Sequence, residues 1–469
     1  MFILLGLALV GSVVNADQSD MPQRHLGLDT KSDVSPAPFA DGECVCFLGD
    51  SITAGGYYQT ILSNYYLTRF PDRKVRFVNA GRSGDSAGGA LKRLKEDVVD
   101  KHPTTVVIMF GMNDVYRHTY TANPTKDQLK QQQVALDRFE ENMNQLVKRL
   151  REEADDPKLV FLTPTPFDQT VVLDRENNQP GCNDGLGRCA AIVREIAHEN
   201  GASLIDLHTP MTEFNLERQR KDPTWTIVGP DRVHPGNEGR LMMSWLILKA
   251  QCVHPVVSNV AIDAATGELL EFDNAVASNL AATSTGITFT LQENALPLPI
   301  ESSLASLVEH LPIVKDLNQQ RLSVRGLTPG DYELRIDGHP IGRHSTEALE
   351  QGINIALYKN TPQYRQAVRV TELNSKRREA EAMAGSLLNT RRWMISHYKL
   401  DVDDPDALQA HYERFDDKRQ YNANMAKRYI ENWHRYDEIR QEVIHYEQAI
   451  EPHRVPVPHE YELRRVVSN

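Results

Sequence analysis

The stretch Phe47-Leu48-Gly49-Asp50-Ser51-Ile52-Thr53 decides the fold of this chain. The apolar residues 44–48 that lead into it are typical of a short buried strand, and residues 57–67 after it can form a helix. Ser51 is therefore expected at the carboxyl end of a parallel strand, just before a helix. Open α/β sheets place their chemistry at this edge, where helix N-termini also direct free N–H groups. A capping serine in an ordinary strand-to-helix turn gives the same short pattern.

Further strand and helix signals alternate along the chain as far as residue 254. The apolar run at 105–110 is typical of a central parallel strand, and residues 126–153 carry apolar side chains at helical spacing. Five strands alternating with helices predict a three-layer α/β/α domain with a five-stranded parallel sheet, a flavodoxin-like arrangement. The other four strands are expected at residues 44–48, 75–79, 158–162 and 203–207.

After residue 254 the pattern changes. Apolar and polar residues alternate at 287–291 and 332–336, which predicts half-buried strands of a small antiparallel, β-rich module over residues 255–360. Helical patterns follow, and residues 361–469 are expected to form a helical C-terminal region. An apolar stripe at helical spacing in this region favours a packing seam over a cofactor site. The stripe consists of Tyr429, Trp433, Tyr436, Ile439 and Val443.

The chain begins with a segment that resembles a secretory signal peptide. Residues 1–16 hold an apolar run and end in small residues before Asp17, although no lysine or arginine precedes the run. Residues 17–40 read as a polar leader. We therefore expect a secreted or periplasmic protein. No apolar stretch of the chain is long enough to predict an integral membrane span.

The positions of the cysteines are relevant to export, because disulfides form in exported proteins. In an exported protein, Cys182 and Cys189 can close the loop between them as a disulfide. Cys44 and Cys46 share one face of the first strand, so they are poor partners for each other and are expected to be buried. No cysteine spacing resembles a zinc site.

Length, composition and net charge limit the number of domains and the kinds of partner that this protein can have. A chain of 469 residues predicts two or three domains, and 40% hydrophobic with 25% charged residues is ordinary globular composition. The net charge is -12 at pH 7, which argues against a nucleic-acid partner. The chain also lacks the Gly-x-Ser-x-Gly elbow at Ser51, and residues 49–56 lack the lysine of a phosphate-binding loop.

Four segments at strand ends or in a late loop carry a more specific signal. Together, in this order and at this spacing, they resemble the four blocks of the SGNH (GDSL) hydrolase family, carbohydrate esterases in particular. The resemblance covers residues 41–254, roughly half the chain, as a catalytic domain. The blocks are Gly49-Asp50-Ser51-Ile52-Thr53, Asn79-Ala80-Gly81-Arg82-Ser83-Gly84-Asp85, Gly111-Met112-Asn113-Asp114 and Asp231-Arg232-Val233-His234.

The resemblance implies a role for each matching residue. Ser51 would be the nucleophile, His234 its general base and Asp231 the carboxylate that orients the base. The backbone N–H groups of Ser51 and Gly84 and the side-chain amide of Asn113 would form the oxyanion hole. Elementary chemistry supports these roles, because a serine hydroxyl needs a base and a histidine titrates near neutral pH. A carboxylate three residues before the histidine can reach its ring and stabilise the imidazolium.

For other polar residues in or near these blocks, the sequence gives weaker support for a catalytic or binding role. Arg82 can bind a substrate carboxylate or hydroxyl, and a structural role for it is equally well supported. We expect Asp50 and Asp114 to hold local backbone rather than react, and His208 to be a packed histidine rather than a second base.

The sequence thus predicts a serine ester hydrolase that removes small acyl groups, acetyl above all, from O-acetylated carbohydrate without a metal or cofactor. The substrate class comes from the resemblance. The first alternative is a lysophospholipase or general short-chain esterase, and acyl transfer to a sugar acceptor is also open. A different alternative is a binding or assembly protein built on an SGNH platform. The expected partner is a small-molecule or polysaccharide ester, and the sequence leaves the oligomeric state open.

Overall fold

The expected five-stranded parallel sheet is present in the computed structural model, which describes residues 34–283, 285–418 and 420–466. The expected signal peptide and most of the leader lie outside the described residues. The strand order is β2-β1-β3-β4-β5, with every neighbouring pair parallel. The strands are β1 (Cys44–Gly49), β2 (Arg76–Gly81), β3 (Thr105–Met109), β4 (Lys158–Leu162) and β5 (Ser203–Ile205).

Helices connect these strands and pack on the sheet, which confirms the α/β class. All residues of β1 and β3 are buried, as expected for central strands covered on both faces. The long helix has the expected bounds and buries the apolar stripe with Leu136, Phe139 and Met143. The helices are α1 (Ser51–Ala54), α2 (Tyr57–Arg69), α3 (Ala87–Asp97), α4 (Lys126–Glu153), α5 (Cys182–Glu199), α6 (His208–Gln219) and α7 (Asn237–Ala250).

The order of the strands brings three loops together. Because β1 lies between β2 and β3, its last residue Gly49 pairs with Gly81 on one side and Met109 on the other. The chain leaves β1 towards one neighbour and later returns to the other, which opens a crevice at the carboxyl edge. The loops that follow β1, β2 and β3 therefore meet at this point.

Gly49 permits a close approach at this edge. A Cβ atom built on it would lie 2.3 Å from the Oγ1 of Thr53 and 2.8 Å from the carbonyl oxygen of Met109. Any larger residue would push α1 away from the ends of the strands. The glycine therefore allows Ser51 to begin a helix two residues after the strand ends.

The β-rich part of the chain contains two sheets rather than one small antiparallel module. In the first, of order β13-β10-β6-β7, the central pair β6 and β10 is parallel. The second, of order β12-β11-β14-β9-β8, is antiparallel. The strands are β6 (Val256–Asp263), β7 (Glu268–Asp273), β8 (Ala275–Thr283), β9 (Gly286–Glu293), β10 (Gln319–Arg325), β11 (Asp331–Ile336), β12 (His339–Ser345), β13 (Ile353–Asn354) and β14 (His459–Arg465).

The helical C-terminal region does not extend to the end of the chain, contrary to expectation. Strand β14 pairs with β9 and β11 and so returns the chain to the centre of the antiparallel sheet. Its alternation of buried Tyr461 and Leu463 with exposed or half-buried charged residues is the pattern of a strand. The helices are α8 (Ala305–His310), α9 (Ile313–Leu317), α10 (Thr346–Gln351), α11 (Pro362–Tyr398), α12 (Pro405–Glu413), α13 (Tyr421–Asn432) and α14 (Tyr436–Arg454).

Helix α11 joins the C-terminal helices to the α/β domain. Its buried Asn374 donates to the Oδ1 of Asn64 on α2 at 2.7 Å, and Arg378 donates to the Oε1 of Gln59 at 3.2 Å. Side chains of α11, α13 and α14 form a separate apolar cluster that contains the stripe from Tyr429 to Val443. The stripe is therefore a packing seam, as the sequence predicts.

Cys182 and Cys189, which were expected to flank a loop, lie on a helix instead. Helix α5 already begins at Cys182, so Cys182 and Cys189 lie about two turns apart on one helix, and both are buried free thiols. At 1.5 Å per residue this separation exceeds the reach of a disulfide. Cys44 and Cys46 are also buried and free, as expected.

The described helices include none that is both long and apolar enough to cross a bilayer.

A buried carboxyl group joins the two C-terminal sheets to α11. Glu293 of β9 is 1% exposed, and its Oε1 accepts from the hydroxyl of Ser258 at 2.6 Å and the amide of Gln320 at 2.9 Å. Its Oε2 and the Oε1 atoms of Gln320 and Gln363 are buried without a partner among the described residues. Burial raises the pKa of Glu293, although these hydrogen bonds oppose the shift. The site therefore favours the protonated, neutral carboxyl.

We expect Glu293→Gln to stabilise the protein at high pH. A raised pKa in the folded state means that the carboxyl contributes stability below its unfolded pKa and loses it as the pH rises through the folded pKa. The neutral amide has no such loss. The free energy of unfolding should be equal in both proteins near pH 4 and higher for the variant at pH 8.

Denaturant unfolding of both proteins across this pH range measures the difference. Glu309→Gln, which changes an exposed glutamate, is the control and should follow the wild type throughout. A Glu293→Gln protein that is less stable than wild type at pH 8 would contradict the neutral-carboxyl interpretation.

Candidate active site

Three of the expected site residues are joined by two hydrogen bonds at the carboxyl edge of the parallel sheet. The Oγ of Ser51 lies 2.7 Å from the Nε2 of His234, and the Nδ1 of His234 lies 2.5 Å from the Oδ2 of Asp231. Because a carboxylate only accepts, the ring proton lies on Nδ1 and leaves Nε2 to accept from the serine hydroxyl. The geometry is that of a nucleophile, a base and an orienting acid.

The loop that carries His234 is held rigidly on both sides. The Oδ1 of Asp231 accepts from the backbone N–H groups of Val233 and His234, each at 3.0 Å. Arg232, which follows Asp231 in the chain, has φ +65° and is 3% exposed. Its guanidinium donates to the carbonyl oxygens of Asp168 and Val171, both at 2.9 Å. Arg232 thus anchors the loop and fixes the position of the histidine, a role that its place in the sequence does not indicate.

The acid and the base shift each other's titration. The hydrogen bond to Asp231 raises the pKa of His234 above its ordinary value of 6.5, although partial burial opposes the shift. Burial alone would raise the pKa of Asp231, but the hydrogen bonds from the ring and backbone of His234 hold it well below its usual range. Asp231 is therefore ionised at neutral pH, and about half of each side chain faces solvent.

Gly84 and Asn113 lie on neighbouring loops that contact each other. The Nδ2 of Asn113 donates to the backbone carbonyl of Asp85 at 2.8 Å, next to Gly84. Gly84 has φ +72°, a conformation that favours glycine, and a Cβ atom there would point into open space. The guanidinium of Arg117 lies 3.5 Å from the Oδ1 of Asn113, which orients the amide so that its nitrogen faces the loop.

Asp50 and Asp114 hold backbone, as expected from the sequence. Asp50 accepts from the N–H of Ile52 at 2.9 Å and so caps α1. Asp114 accepts from the N–H groups of Ala87 at 2.9 Å and Gly111 at 3.1 Å, which ties the start of α3 to the end of β3. Burial raises the pKa of Asp50 to about 6 and that of Asp114 to about 7, against these hydrogen bonds.

A buried arginine, which was not among the residues expected at the site, connects the ends of β1 and β2. Arg93 of α3 is 5% exposed and donates to the carbonyls of Gly49 at 3.2 Å and Ala80 at 2.7 Å. It also donates to the carboxylates of Asp85 at 2.7 Å and Asp97 at 3.0 Å. Its position beside Ala90 and Leu94 on the buried face of α3 is the one sequence signal that marks it.

The remaining candidates lie apart from the three hydrogen-bonded residues. Arg82 pairs with Asp97 at 3.1 Å, with 42% of its side chain exposed, and lines a cleft on the β2 side of the site. His208 lies 3.2 Å from the Oδ1 of Asn183, and burial lowers its pKa. Within the described ranges, no three His, Cys, Asp or Glu side chains cluster closely enough to hold a metal ion.

Comparisons with known proteins find relatives of the α/β domain. Residues 47–240 match the model of the GDSL-like Lipase/Acylhydrolase family. An acetylxylan esterase from Geobacillus stearothermophilus is 25% identical over 223 residues, 44% of this chain and 93% of the relative. The isoamyl acetate-hydrolyzing esterase 1 homolog from Rattus norvegicus is 29% identical over 188 residues, 37% of this chain and 70% of the relative.

A solved structure extends the similarity to the C-terminal half. The structure of a gut microbial diltiazem-metabolizing enzyme superposes with a TM-score of 0.83 at 29% identity, covering 92% of this chain and 99% of that one. The matched family region spans the loops that carry Ser51, Gly84, Asn113 and His234. The domain formed by residues 47–240 therefore belongs to the GDSL-like lipase/acylhydrolase family, and the chain is a carboxylic ester hydrolase.

Proposed function

We propose that this esterase removes acetyl groups from O-acetylated carbohydrate, with Ser51 as nucleophile, His234 as general base and Asp231 as the orienting acid. The observation that carries the proposal is the chain of two hydrogen bonds, at 2.7 and 2.5 Å, from the Ser51 hydroxyl through the His234 ring to Asp231. A serine so placed can be deprotonated as it attacks a carbonyl carbon.

In the first half of the reaction, the Oγ of Ser51 attacks the ester carbonyl while the Nε2 of His234 accepts the serine proton. The carbonyl oxygen becomes negatively charged and receives hydrogen bonds from the N–H groups of Ser51 and Gly84 and the amide of Asn113. His234 then gives its proton to the leaving sugar oxygen as the C–O bond breaks. The acyl group remains on Ser51 as an ester.

In the second half, water attacks the acyl carbon and His234 accepts the water proton. The Ser51–acyl bond breaks, the proton returns to the serine oxygen, and the carboxylic acid leaves. Asp231 stays ionised throughout and stabilises the imidazolium that forms in each half.

Two features favour an acetyl group on a large polar alcohol. The relatives are described as acting on acetylxylan and isoamyl acetate, both esters of acetic acid. His234 and Asp231 are 47% and 45% exposed, so the site is open enough for a polymer to approach. The second relative also favours a general short-chain esterase as the second candidate. Export, expected from residues 1–16, would bring the enzyme to extracellular polysaccharide and is part of this proposal.

Ser51→Ala should abolish hydrolysis of 4-nitrophenyl acetate, with kcat reduced by about 10⁶-fold, because the nucleophilic oxygen is removed. Activity of the wild type is measured on acetate, butyrate and octanoate esters, and acetate release from acetylated xylan is measured in parallel. The proposal expects the highest kcat/KM on acetate and release of acetate from the polymer.

The control is Ser303→Ala, which removes a hydroxyl from an exposed serine and should behave as wild type. A preference for octanoate would replace the carbohydrate proposal with a lipid substrate. Hydrolysis that survives in Ser51→Ala would overturn the assignment of the nucleophile.

The pH dependence tests the roles of His234 and Asp231. A general base must be neutral, so kcat/KM rises with pH through the raised pKa of His234, and this limb should lie above pH 6.5. Asp231→Asn removes the cause of the shift and should move the limb to lower pH. It should also lower kcat by about 10⁴-fold, since an amide no longer fixes the tautomer.

Asp437→Asn, a change at an exposed aspartate on α14, should leave the profile in place. Profiles of kcat/KM from pH 5 to 9 measure both effects. An acid limb that is the same in the wild type and in Asp231→Asn would argue against the Asp231–His234 assignment.

A further inference from the structure

A cleft of about 840 Å³ separates the edge of the catalytic domain from the C-terminal helices. One wall comes from α1 and the loop after β2, with Ala54, Arg82 and Ser83. The other comes from α11, α13 and α14. The proposed function uses none of the residues on the second wall.

The cleft is basic although the chain as a whole is acidic. Its lining contains one lysine and four arginines against a single carboxylate, that of Glu381, whereas the net charge of the chain is -12. Glu381 is paired with Arg378 at 2.5 Å, and Arg82 is paired with Asp97 at 3.1 Å. Arg428 and Arg440 are exposed and form no ion pair with a carboxylate of the described residues. The cleft therefore presents unneutralised positive charge.

The same walls carry aromatic side chains. Trp393 and Tyr436 are half-buried, and Tyr421 at the start of α13 is 62% exposed. An exposed tyrosine that lines the same cleft as unpaired arginines offers an apolar face and a hydroxyl in addition to cationic donors. Flat aromatic faces pack against apolar faces of a ligand, while guanidinium groups bind carboxylate or sulfate oxygens in pairs.

The cleft lining includes residues next in the chain to the candidate site. Ala54 is the last residue of the helix that Ser51 begins, and Ser83 immediately precedes Gly84. Ser51 and His234 do not line the cleft themselves, so a sugar chain bound there would extend beyond the lining to place an ester at Ser51. Asp97 fixes the two walls relative to each other, because it accepts from Arg82 on one wall and, at 3.1 Å, from Arg392 of α11.

We propose that this cleft binds the sugar chain of an anionic oligosaccharide, one that carries carboxylate or sulfate groups, while an acetyl ester on the same chain lies at Ser51. The inference rests on the proposed function and names its substrate class. Arg428 and Arg440 bind the anionic groups, and Tyr421 packs against a sugar ring. The C-terminal helices thus select the alcohol part of the ester, whereas the catalytic domain cleaves it.

Binding is measured first, by calorimetry, with the full chain carrying Ser51→Ala so that no ester is cleaved. The probes are an oligogalacturonide, a sulfated galactan oligomer and a xylo-oligosaccharide of equal length. We expect the anionic oligomers to bind and the neutral one to bind at least about tenfold more weakly. The first two probes show whether carboxylate or sulfate is preferred. Affinity should fall as salt is added.

Steady-state kinetics of cleft variants then test whether these side chains bind the substrate. The double variant Arg428→Gln/Arg440→Gln should raise KM for an acetylated oligogalacturonide about tenfold with little change in kcat, because the lost contacts are equal in ground and transition states. Tyr421→Ala should act in the same direction. The matched control is Arg343→Gln/Arg369→Gln, which removes two exposed positive charges outside the cleft lining and should leave KM as in wild type.

Equal binding of the anionic and neutral oligomers, or equal KM values for the cleft and control variants, would overturn the cleft proposal. Hydrolysis of 4-nitrophenyl acetate by the wild type separates this failure from failure of the proposed function. If the aryl ester is hydrolysed through Ser51 but no anionic preference exists, only the cleft proposal fails. If the oligomers bind through the arginines but no ester is cleaved, the proposed chemistry fails and the cleft proposal stands.

Discussion

The candidate site depends on one buried charge, the guanidinium of Arg93. It is shared by two backbone carbonyls, at the ends of β1 and β2, and by the carboxylates of Asp85 and Asp97. A buried cation is stable only when its donors are all satisfied, and removal of one partner of such a group costs about 3–5 kcal/mol. The loops that hold Ser51 and Gly84 are thereby fixed relative to each other before any substrate arrives, which oxyanion stabilisation requires.

The same network connects the C-terminal half to the candidate site. Asp97 accepts from Arg93 below the site, from Arg82 on the rim and from Arg392 on α11. Strand β14 returns the end of the chain to the middle of the antiparallel sheet, so the helices between β13 and β14 are held at both ends. A displacement of these helices would therefore disturb a carboxylate that also supports the catalytic loops. This coupling gives a physical reason for the two halves to occur in one chain.

Local patterns were enough to predict the parallel sheet. Strand ends converge by topology, so the loops that carry Ser51, Gly84 and Asn113 could be expected at one edge, but the role of each residue came from the family resemblance. The sequence could not reveal that Arg93 binds the end of β1, that Arg232 binds the carbonyls of Asp168 and Val171, or that β14 pairs with β9 and β11, because these partners lie far away in the chain. Strand β14 has the alternation of a strand but follows a long helical stretch, and Cys182 lies at a helix start that its neighbouring glycines obscure.

The charge of the proposed binding cleft is compatible with the chemistry at Ser51 because the two act on different parts of an ester. Contacts to a sugar chain are the same before and during bond cleavage, so they lower KM without altering the barrier from the bound state. In the proposed triad, Asp231 is ionised, and its pKa is lowered by His234 and backbone N–H groups rather than by the cleft arginines. An acidic protein surface repels anionic polymers in general, so a basic cleft would direct such a chain towards the site where its ester is proposed to react.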